Sequence, residues 1–362
     1  MRARVEVEGW SFVRHGTRIL FPLLLTLAGL PGAGNASAAA LTPDEASHFE
    51  AAAAYSRAQH GVAVLVMRRG EVVFEDYAPG WAEKPHLLAS GTKSFCGVMA
   101  ACAVQDGLLT LDEKISDTLT EWKTDARKSV VTIRQMLSLS SGIDGGDNGS
   151  VPSYARAITM ATIKASPGEK FSYGPIPFQC FGEVMRRKLA AKGESVEAYL
   201  KRRVLDPIGL KVGFWRKDDD GNINLPAGAF LIAREWVKFG ELVRLGGKWN
   251  GRQLIPAGLL AECFKPAATN PAYGLTWWLL GGGDESSTAA ADGGNVAPKL
   301  KRALVERARL DFKPPRDTVA AMGKGKQRCY VIPSLDLVIV RLGDSEGREF
   351  SDNEFLAKLL AK

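Results

Sequence analysis

Val62-Ala63-Val64-Leu65-Val66-Met67-Arg68-Arg69-Gly70-Glu71-Val72-Val73-Phe74-Glu75-Asp76 is a pair of β-branched, apolar runs broken by a charged, glycine-containing tetrad. The pattern predicts a hairpin with strands over 62–67 and 72–76. A second such stretch lies near the other end of the chain, where 328–332 and 337–342 flank Pro333-Ser334-Leu335-Asp336. The two hairpins are expected to share one antiparallel sheet. Helical spacing over 45–58 and 353–360 then lets a helix from each end of the chain cover one face of that sheet. The expected fold class is α+β: an antiparallel sheet flanked by N- and C-terminal helices, with a helical domain inserted between the hairpins.

Inside that frame, 90–105 is apolar nearly all round (Phe95, Val98, Met99, Cys102, Val104) and stops at Asp106-Gly107, which predicts a central buried helix. Further helical patterns follow at 133–139, 178–191, 196–204 and 233–245. The expected division is a signal peptide over 1–38, a first part of the sheet domain over 41–115, a helical domain over 116–265 and the rest of the sheet domain over 266–362. A Gly/Ser/Ala/Asp-rich loop at 281–297 precedes a basic helical stretch at 299–310; this region is a lid over a cleft or, by default, a solvated surface helix. No fixed-period repeat occurs.

With 362 residues, 46% hydrophobic and 24% charged, the chain has the composition of a folded globular protein, and disordered, collagen-like and disulfide-dense classes are excluded. The net charge of +7 falls to +5 if the first 40 residues, with four Arg and two Glu, are removed. No basic run is interleaved with aromatics, so no nucleic-acid partner is expected. Arg14 and Arg18 precede an apolar stretch over 19–30, too short to span a bilayer, and Ala36-Ser37-Ala38 fits a small-residue cleavage pattern. This reads as a secretory signal, with an uncleaved anchor or a buried helix as the alternative. A periplasmic or secreted protein without a stable membrane anchor is expected. Cys96 and Cys102 lie roughly 9 Å apart if on one helix, too far for a bridge. One disulfide among Cys180, Cys263 and Cys329 stays open, and oligomeric state is not legible.

The histidines are four, at 15, 48, 60 and 86, and none lies in the last three quarters of the chain, so a Ser…Asp…His order of the hydrolase-elbow type cannot be completed. H-E-x-x-H and the phosphate-binding glycine loops are absent too, and no metal or cofactor is expected. Asp218-Asp219-Asp220-Gly221-Asn222 resembles part of a calcium loop, but Arg216 occupies the place of the first ligand, and a solvated turn is the better reading.

Ser90-Gly91-Thr92-Lys93 supplies a nucleophile without imidazole. At the start of a helix, positions i and i+3 share a side, so the Lys93 amine reaches the Ser90 hydroxyl. A lysine sunk in an apolar helix has its charged form destabilised, and a neutral amine can accept the serine proton. The alternative is Ser90 as a helix cap and Lys93 as a solvated first-turn residue. Alone, the S-x-x-K spacing is a weak signal, since about one is expected by chance in a chain this long.

The surrounding words decide. Residues 62–73, Ser90-Gly91-Thr92-Lys93-Ser94-Phe95, Gly107-Leu108-Leu109-Thr110-Leu111-Asp112, residues 132–142, Pro167-Gly168-Glu169-Lys170-Phe171-Ser172-Tyr173 and residues 330–340 run in the order seen in serine β-lactamase-related hydrolases. Over roughly 45–362 the chain resembles the class C β-lactamase, esterase and 6-aminohexanoate-dimer hydrolase branch. The resemblance implies that Ser90 is the acylated nucleophile, Lys93 its proton acceptor or relay, and Tyr173 the phenol that shares the base role and protonates the leaving group. Core packing is the alternative for Tyr173.

Two departures follow from the same likeness. The family tyrosine is often followed two residues later by Asn, whereas here the word is Tyr173-Gly174-Pro175, and Pro has no side-chain amide. The third motif, usually Lys-Thr-Gly or His-x-Gly, finds its best match in Gly323-Lys324-Gly325, where Lys324 would offer its backbone N–H to the oxyanion beside that of Ser90. An ordinary Gly/Lys turn is the alternative. Ser351-Asp352-Asn353 comes after that motif and is read as a cap of the last helix. Tyr273-Gly274-Leu275-Thr276-Trp277-Trp278 alternates like a strand, and Trp277 is taken as a candidate wall of the acyl site, with core packing as the alternative. The expected function is an exported serine hydrolase acting on a small-molecule ester or amide. A β-lactamase, a D-Ala-D-Ala carboxypeptidase-like penicillin-binding protein and a catalytically weak relative that binds cell-wall fragments are the alternatives.

Overall fold

Arg69 and Gly70 both take left-handed φ angles, 52° and 84°, which is the turn geometry whose twist matches a two-residue hairpin. It joins β1 (Gly61–Arg68) to β2 (Glu71–Tyr77). The computed structural model describes residues 41–281, 312–344 and 349–361. β1 reads as a continuous apolar run rather than an alternation because its residues from Val62 to Met67 are buried on both faces.

Across its other edge β1 pairs antiparallel with β11 (Leu337–Gly343), which pairs with β10 (Gln327–Ile332). β9 (Val319–Gly323) and β8 (Trp278–Leu279) complete a six-stranded sheet of order β2-β1-β11-β10-β9-β8. Both hairpins therefore lie in one sheet, as expected. Strands from the two ends of the chain meet in register at Leu65↔Val340 and Val66↔Ile339.

Two helices from the chain ends cover one face. α1 (Pro43–Ala58) opens with a capping box in which Thr42 Oγ1 accepts from Glu45 N at 3.2 Å and Glu45 Oε2 accepts from Thr42 N at 2.9 Å. α9 (Asp352–Leu359) is capped by Ser351, whose Oγ accepts from Glu354 N at 3.2 Å, so the Ser-Asp-Asn word is a cap. α1 packs on α9 and on β1.

Between the hairpins, α2 (Ser94–Gln105) is buried at every residue from Ser94 to Ala103. The middle of the chain holds α3 (Ile133–Leu137), α4 (Tyr154–Met160), α5 (Ile176–Ala190) and α6 (Val196–Leu200), the last running into one π-helical turn. α7 (Ala233–Arg244), which the spacing grouped with this helical block, packs against β11, β10 and β1 of the sheet. A small sheet of order β3-β5-β4 joins His86–Leu87 (β3), Phe214–Trp215 (β4) and Ala229–Leu231 (β5). The hairpin β6–β7 (Lys248–Trp249, Arg252–Gln253) leads into α8 (Ala257–Ala261).

All five cysteines are buried free thiols, so the pairing left open among Cys180, Cys263 and Cys329 is not formed. The Asp218 carboxylate is occupied by its own loop and by the start of α4, Oδ1 accepting from Asp220 N and Asn222 N and Oδ2 from Tyr154 N. The signal expected over 1–38, the basic stretch at 299–310 and nearly all of the 281–297 loop lie outside the described residues. Among those described, no helix is long and apolar enough to cross a membrane.

Candidate active site

The link between β3 and α2 is where the backbone leaves ordinary geometry. Ala89 holds φ at 47°, a left-handed angle that costs an L-residue about 1 kcal/mol and persists only where neighbours enforce it. Here Leu88 N donates to Ala229 O at 2.9 Å, and Thr92 Oγ1 donates to Ala89 O at 2.7 Å while accepting from Ala229 N at 3.2 Å. Beyond this kink, Ala89–Lys93 forms a 3-10 turn before α2 begins. The spacing predicts an α-helical first turn there; the tighter turn serves better, because residues i and i+3 eclipse in it.

Lys93 Nζ accordingly lies 2.9 Å from Ser90 Oγ, to which it donates, and it donates also to Pro226 O at 3.0 Å. Only 2% of Lys93 is exposed. Burial removes the water that would solvate its charge and lowers its pKa from 10.5 to about 7. The amine therefore exchanges its proton near neutrality, and once neutral it presents a lone pair to the Ser90 hydroxyl. Its partly buried surroundings are aromatic, with the Tyr173 ring centroid 4.9 Å and the Phe178 centroid 5.4 Å from Nζ. His86, the histidine nearest in sequence, is engaged elsewhere: its Nε2 lies 2.8 Å from Gly343 O.

Tyr173 sits just before α5, and the backbone on either side is pinned. Ser172 N donates to Leu139 O at 2.9 Å, Gly145 N to Ser172 Oγ at 3.0 Å and Ile176 N to Gly145 O at 3.1 Å. Pro175 occupies the cap of α5 and offers its carbonyl to Phe178 N and Gln179 N, so the family amide has no counterpart at this position. The Tyr173 ring is walled by Trp278 at 5.8 Å, Phe171 at 6.3 Å and Tyr273 at 6.4 Å.

The third element is the β9–β10 hairpin, in which Gly323 and Gln327 face each other across a three-residue loop. A Cβ on Gly323 would lie 2.0 Å from Leu88 O and 2.9 Å from Gly91 N. Only glycine fits, and its close approach sets the start of the Lys324 loop against the backbone that flanks Ser90. Gly325 at φ 78° and Lys326 at φ 60° close the loop, and the Lys324 side chain is exposed.

Ser90, Lys93, Tyr173 and Gly323 are thus gathered at one place, with Lys324 and Gly325 in the loop that Gly323 opens. Trp277 is not in that group: it is fully buried in the core, 5.8 Å from Phe239 and 5.7 Å from Phe264. Trp278, the first residue of β8, is the indole that reaches Tyr173, with ring centroids 5.8 Å apart. The Pro226 carbonyl that holds Lys93 left no signal in the sequence, because a backbone acceptor can be carried by any residue.

The family model described as Beta-lactamase matches residues 46–361. The chain belongs to the beta-lactamase family. Among solved structures, a penicillin-binding protein homolog from Caulobacter crescentus is similar with a TM-score of 0.65 at 15% identity, covering 88% of this chain and 96% of that one. EstCE1, described as a hydrolase with promiscuous acyltransferase activity, reaches 0.64 at 16% identity over 87% and 97% of the two chains. A family VIII carboxylesterase reaches 0.62 at 16% over 88% and 97%. These likenesses establish the beta-lactamase and transpeptidase-like fold. Protein flp of Staphylococcus aureus (strain MW2) is 23% identical over 171 residues, 42% of this chain, and the match spans about a third (34%) of that protein's length.

Proposed function

We propose that this member of the beta-lactamase family is an exported serine hydrolase that cleaves a small ester or amide through an acyl-enzyme on Ser90. The observation that carries the reading is the 2.9 Å contact between Ser90 Oγ and a buried lysine amine that titrates near neutrality. In the first half-reaction Ser90 Oγ bonds to the substrate carbonyl carbon while its proton passes to neutral Lys93, directly or by way of Tyr173. The carbonyl π pair moves onto oxygen, where the Ser90 and Lys324 backbone N–H groups stabilise it. As the carbonyl re-forms, the bond to the leaving oxygen or nitrogen breaks, its electron pair stays with the leaving group, and Tyr173 delivers the proton. Water then adds to the acyl carbon, giving its proton back through the same groups, and the Ser90 ester bond breaks to release the acid.

The ester and linear-amide preference rests on Pro175, which lacks the amide that holds β-lactam-type substrates in the family pattern. Export rests on the reading of residues 1–38. The test is stoichiometric labelling of Ser90 by a fluorophosphonate, together with hydrolysis of p-nitrophenyl acetate, linear amides and nitrocefin. Wild type is expected to label at Ser90 and to turn over the acetate far faster than nitrocefin. Ser90→Ala is expected to lose at least about 10⁴-fold in kcat/KM. Activity surviving that substitution refutes the assignment, and faster nitrocefin turnover moves the reading to a β-lactamase.

A further inference from the structure

Arg328 lies wholly buried on β10, in a position where a strand of this sheet would ordinarily carry an apolar side chain. A buried guanidinium is costly to desolvate and is weak grounds for stability by itself. Its bonds show what it holds. Nε and Nη2 donate to the two oxygens of Asp352 on α9, at 2.7 and 3.2 Å, and the Tyr330 hydroxyl donates to the same carboxylate at 2.5 Å. So anchored, Nη1 donates to Gly323 O and to Gln327 O, each at 3.1 Å, the carbonyls at the two ends of the oxyanion loop. The loop carbonyls between them are held as well, Lys324 O by the Gln327 side chain at 3.3 Å and Lys326 O by buried Arg341 at 2.8 Å.

The Gly323–Lys324 peptide is trans, so its C=O and N–H point in opposite directions. Arg328 therefore fixes the direction of the Lys324 N–H by holding the oxygen of the same peptide. A charged donor on that oxygen also polarises the amide and strengthens its N–H as a donor. We propose that Arg328, anchored by Asp352, is a positioning residue for the oxyanion hole, aiming the Lys324 N–H at the developing charge. This rests on the acyl-enzyme reading above, and it adds a residue that touches neither substrate nor nucleophile.

The experiment compares wild type, Arg328→Lys and Asp352→Asn. Each is assayed for kcat and KM with a chromogenic short-chain ester and for inhibition by a small alkylboronic acid, whose tetrahedral adduct on Ser90 puts an oxygen where the oxyanion forms. Arg328→Lys keeps the charge but cannot span Asp352 and Gly323 O together. It is expected to lower kcat about 10- to 100-fold, less than or equal to the loss of an oxyanion donor, with KM within about twofold. The boronic acid Ki should rise by the same factor, since both report transition-state binding. Asp352→Asn should move both quantities together by a smaller factor, and it carries the test if Arg328→Lys does not fold. A purely structural role would lower the melting temperature and leave kcat and Ki of the folded fraction unmoved; that result, or a fall in kcat without a rise in Ki, overturns the proposal. A wild type that neither hydrolyses the ester nor binds the boronic acid overturns the hydrolase reading and this inference with it, whereas an active wild type with unmoved variants overturns this inference alone.

Discussion

The Ser90 turn and the 323–327 hairpin meet where Gly323 backs onto Leu88, yet they are built from different chemistry. In the proposed reaction the first works through side chains: a hydroxyl, an amine and a phenol, each of which only a few residue types can supply. The second is proposed to work through main-chain groups that every residue but proline has, and what it demands is geometry. Side-chain chemistry therefore leaves a word in the sequence, S-x-x-K followed by a tyrosine, while main-chain chemistry leaves only a glycine where no Cβ fits and polar groups buried behind the loop. The same site is half legible and half hidden for that reason.

The hairpin half is broken most directly at Gly323. In Gly323→Ala the new methyl would sit 2.0 Å from Leu88 O, so the loop must move away from the Ser90 turn. The expected result is a fall in kcat of about 10²-fold, comparable to losing an oxyanion donor, with a stability loss of about 1–3 kcal/mol from overpacking. Steady-state kinetics and thermal unfolding on one preparation check both. Full kcat in the alanine variant would mean that the hairpin is a structural turn and that the contrast with the Ser90 turn is empty.

The side-chain half is sharpened by pH. The folded-state pKa of Lys93 is about 7 against an ordinary 10.5, so between those values the unfolded chain carries a proton that the folded chain does not. Stability must therefore rise with pH across that window, by up to about 1.4 kcal/mol per pH unit. Below pH 7 both states are protonated and the buried charge costs its full amount. In Lys93→Met this dependence is gone, so urea unfolding at pH 7, 8.5 and 10 should show the gap between wild type and variant moving in favour of wild type as pH rises. Wild-type kcat/KM should fall about tenfold for each pH unit below 7 as the amine is protonated. A stability gap that stays flat would mean a solvated ammonium, and the proton-acceptor role would go with it.

Most of the fold was legible because its sheet is made of runs that only strands tolerate. The 62–67 and 337–342 stretches are β-branched and buried on both faces, and the 90–105 stretch is apolar all round, as only a central helix can be. Periodicity reports how much of an element is covered and is silent on what covers it, which is why the spacing groups α7 with the helical block although it packs against β10 and β11. In the site, Ser90, Lys93 and Tyr173 were readable as chemistry. The left-handed Ala89, the 3-10 turn and the Pro226 carbonyl were not, because each depends on contacts with residues more than a hundred positions away.

Trp277 and Trp278 show the same limit at the scale of a single residue, and they give the subtlest test. The alternating pattern of 273–278 offers either indole as a wall of the site, and only the ring contacts in the fold say which. Trp277 stacks with Phe239 inside the core, and Trp278 meets Tyr173 and Tyr273, at 5.8 and 4.8 Å. Trp277→Leu should cost about 3 kcal/mol of stability and leave the kinetics of the folded enzyme unchanged. Trp278→Leu should lower kcat/KM about threefold to tenfold, because the Tyr173 phenol loses the wall that fixes its angle and a small displacement of a proton donor is felt in the rate. Melting temperatures and kcat/KM measured side by side separate the two. If the larger kinetic change falls on Trp277, the substrate cleft lies on the opposite face of β8 from Tyr173, and the proton path assigned to that phenol cannot stand.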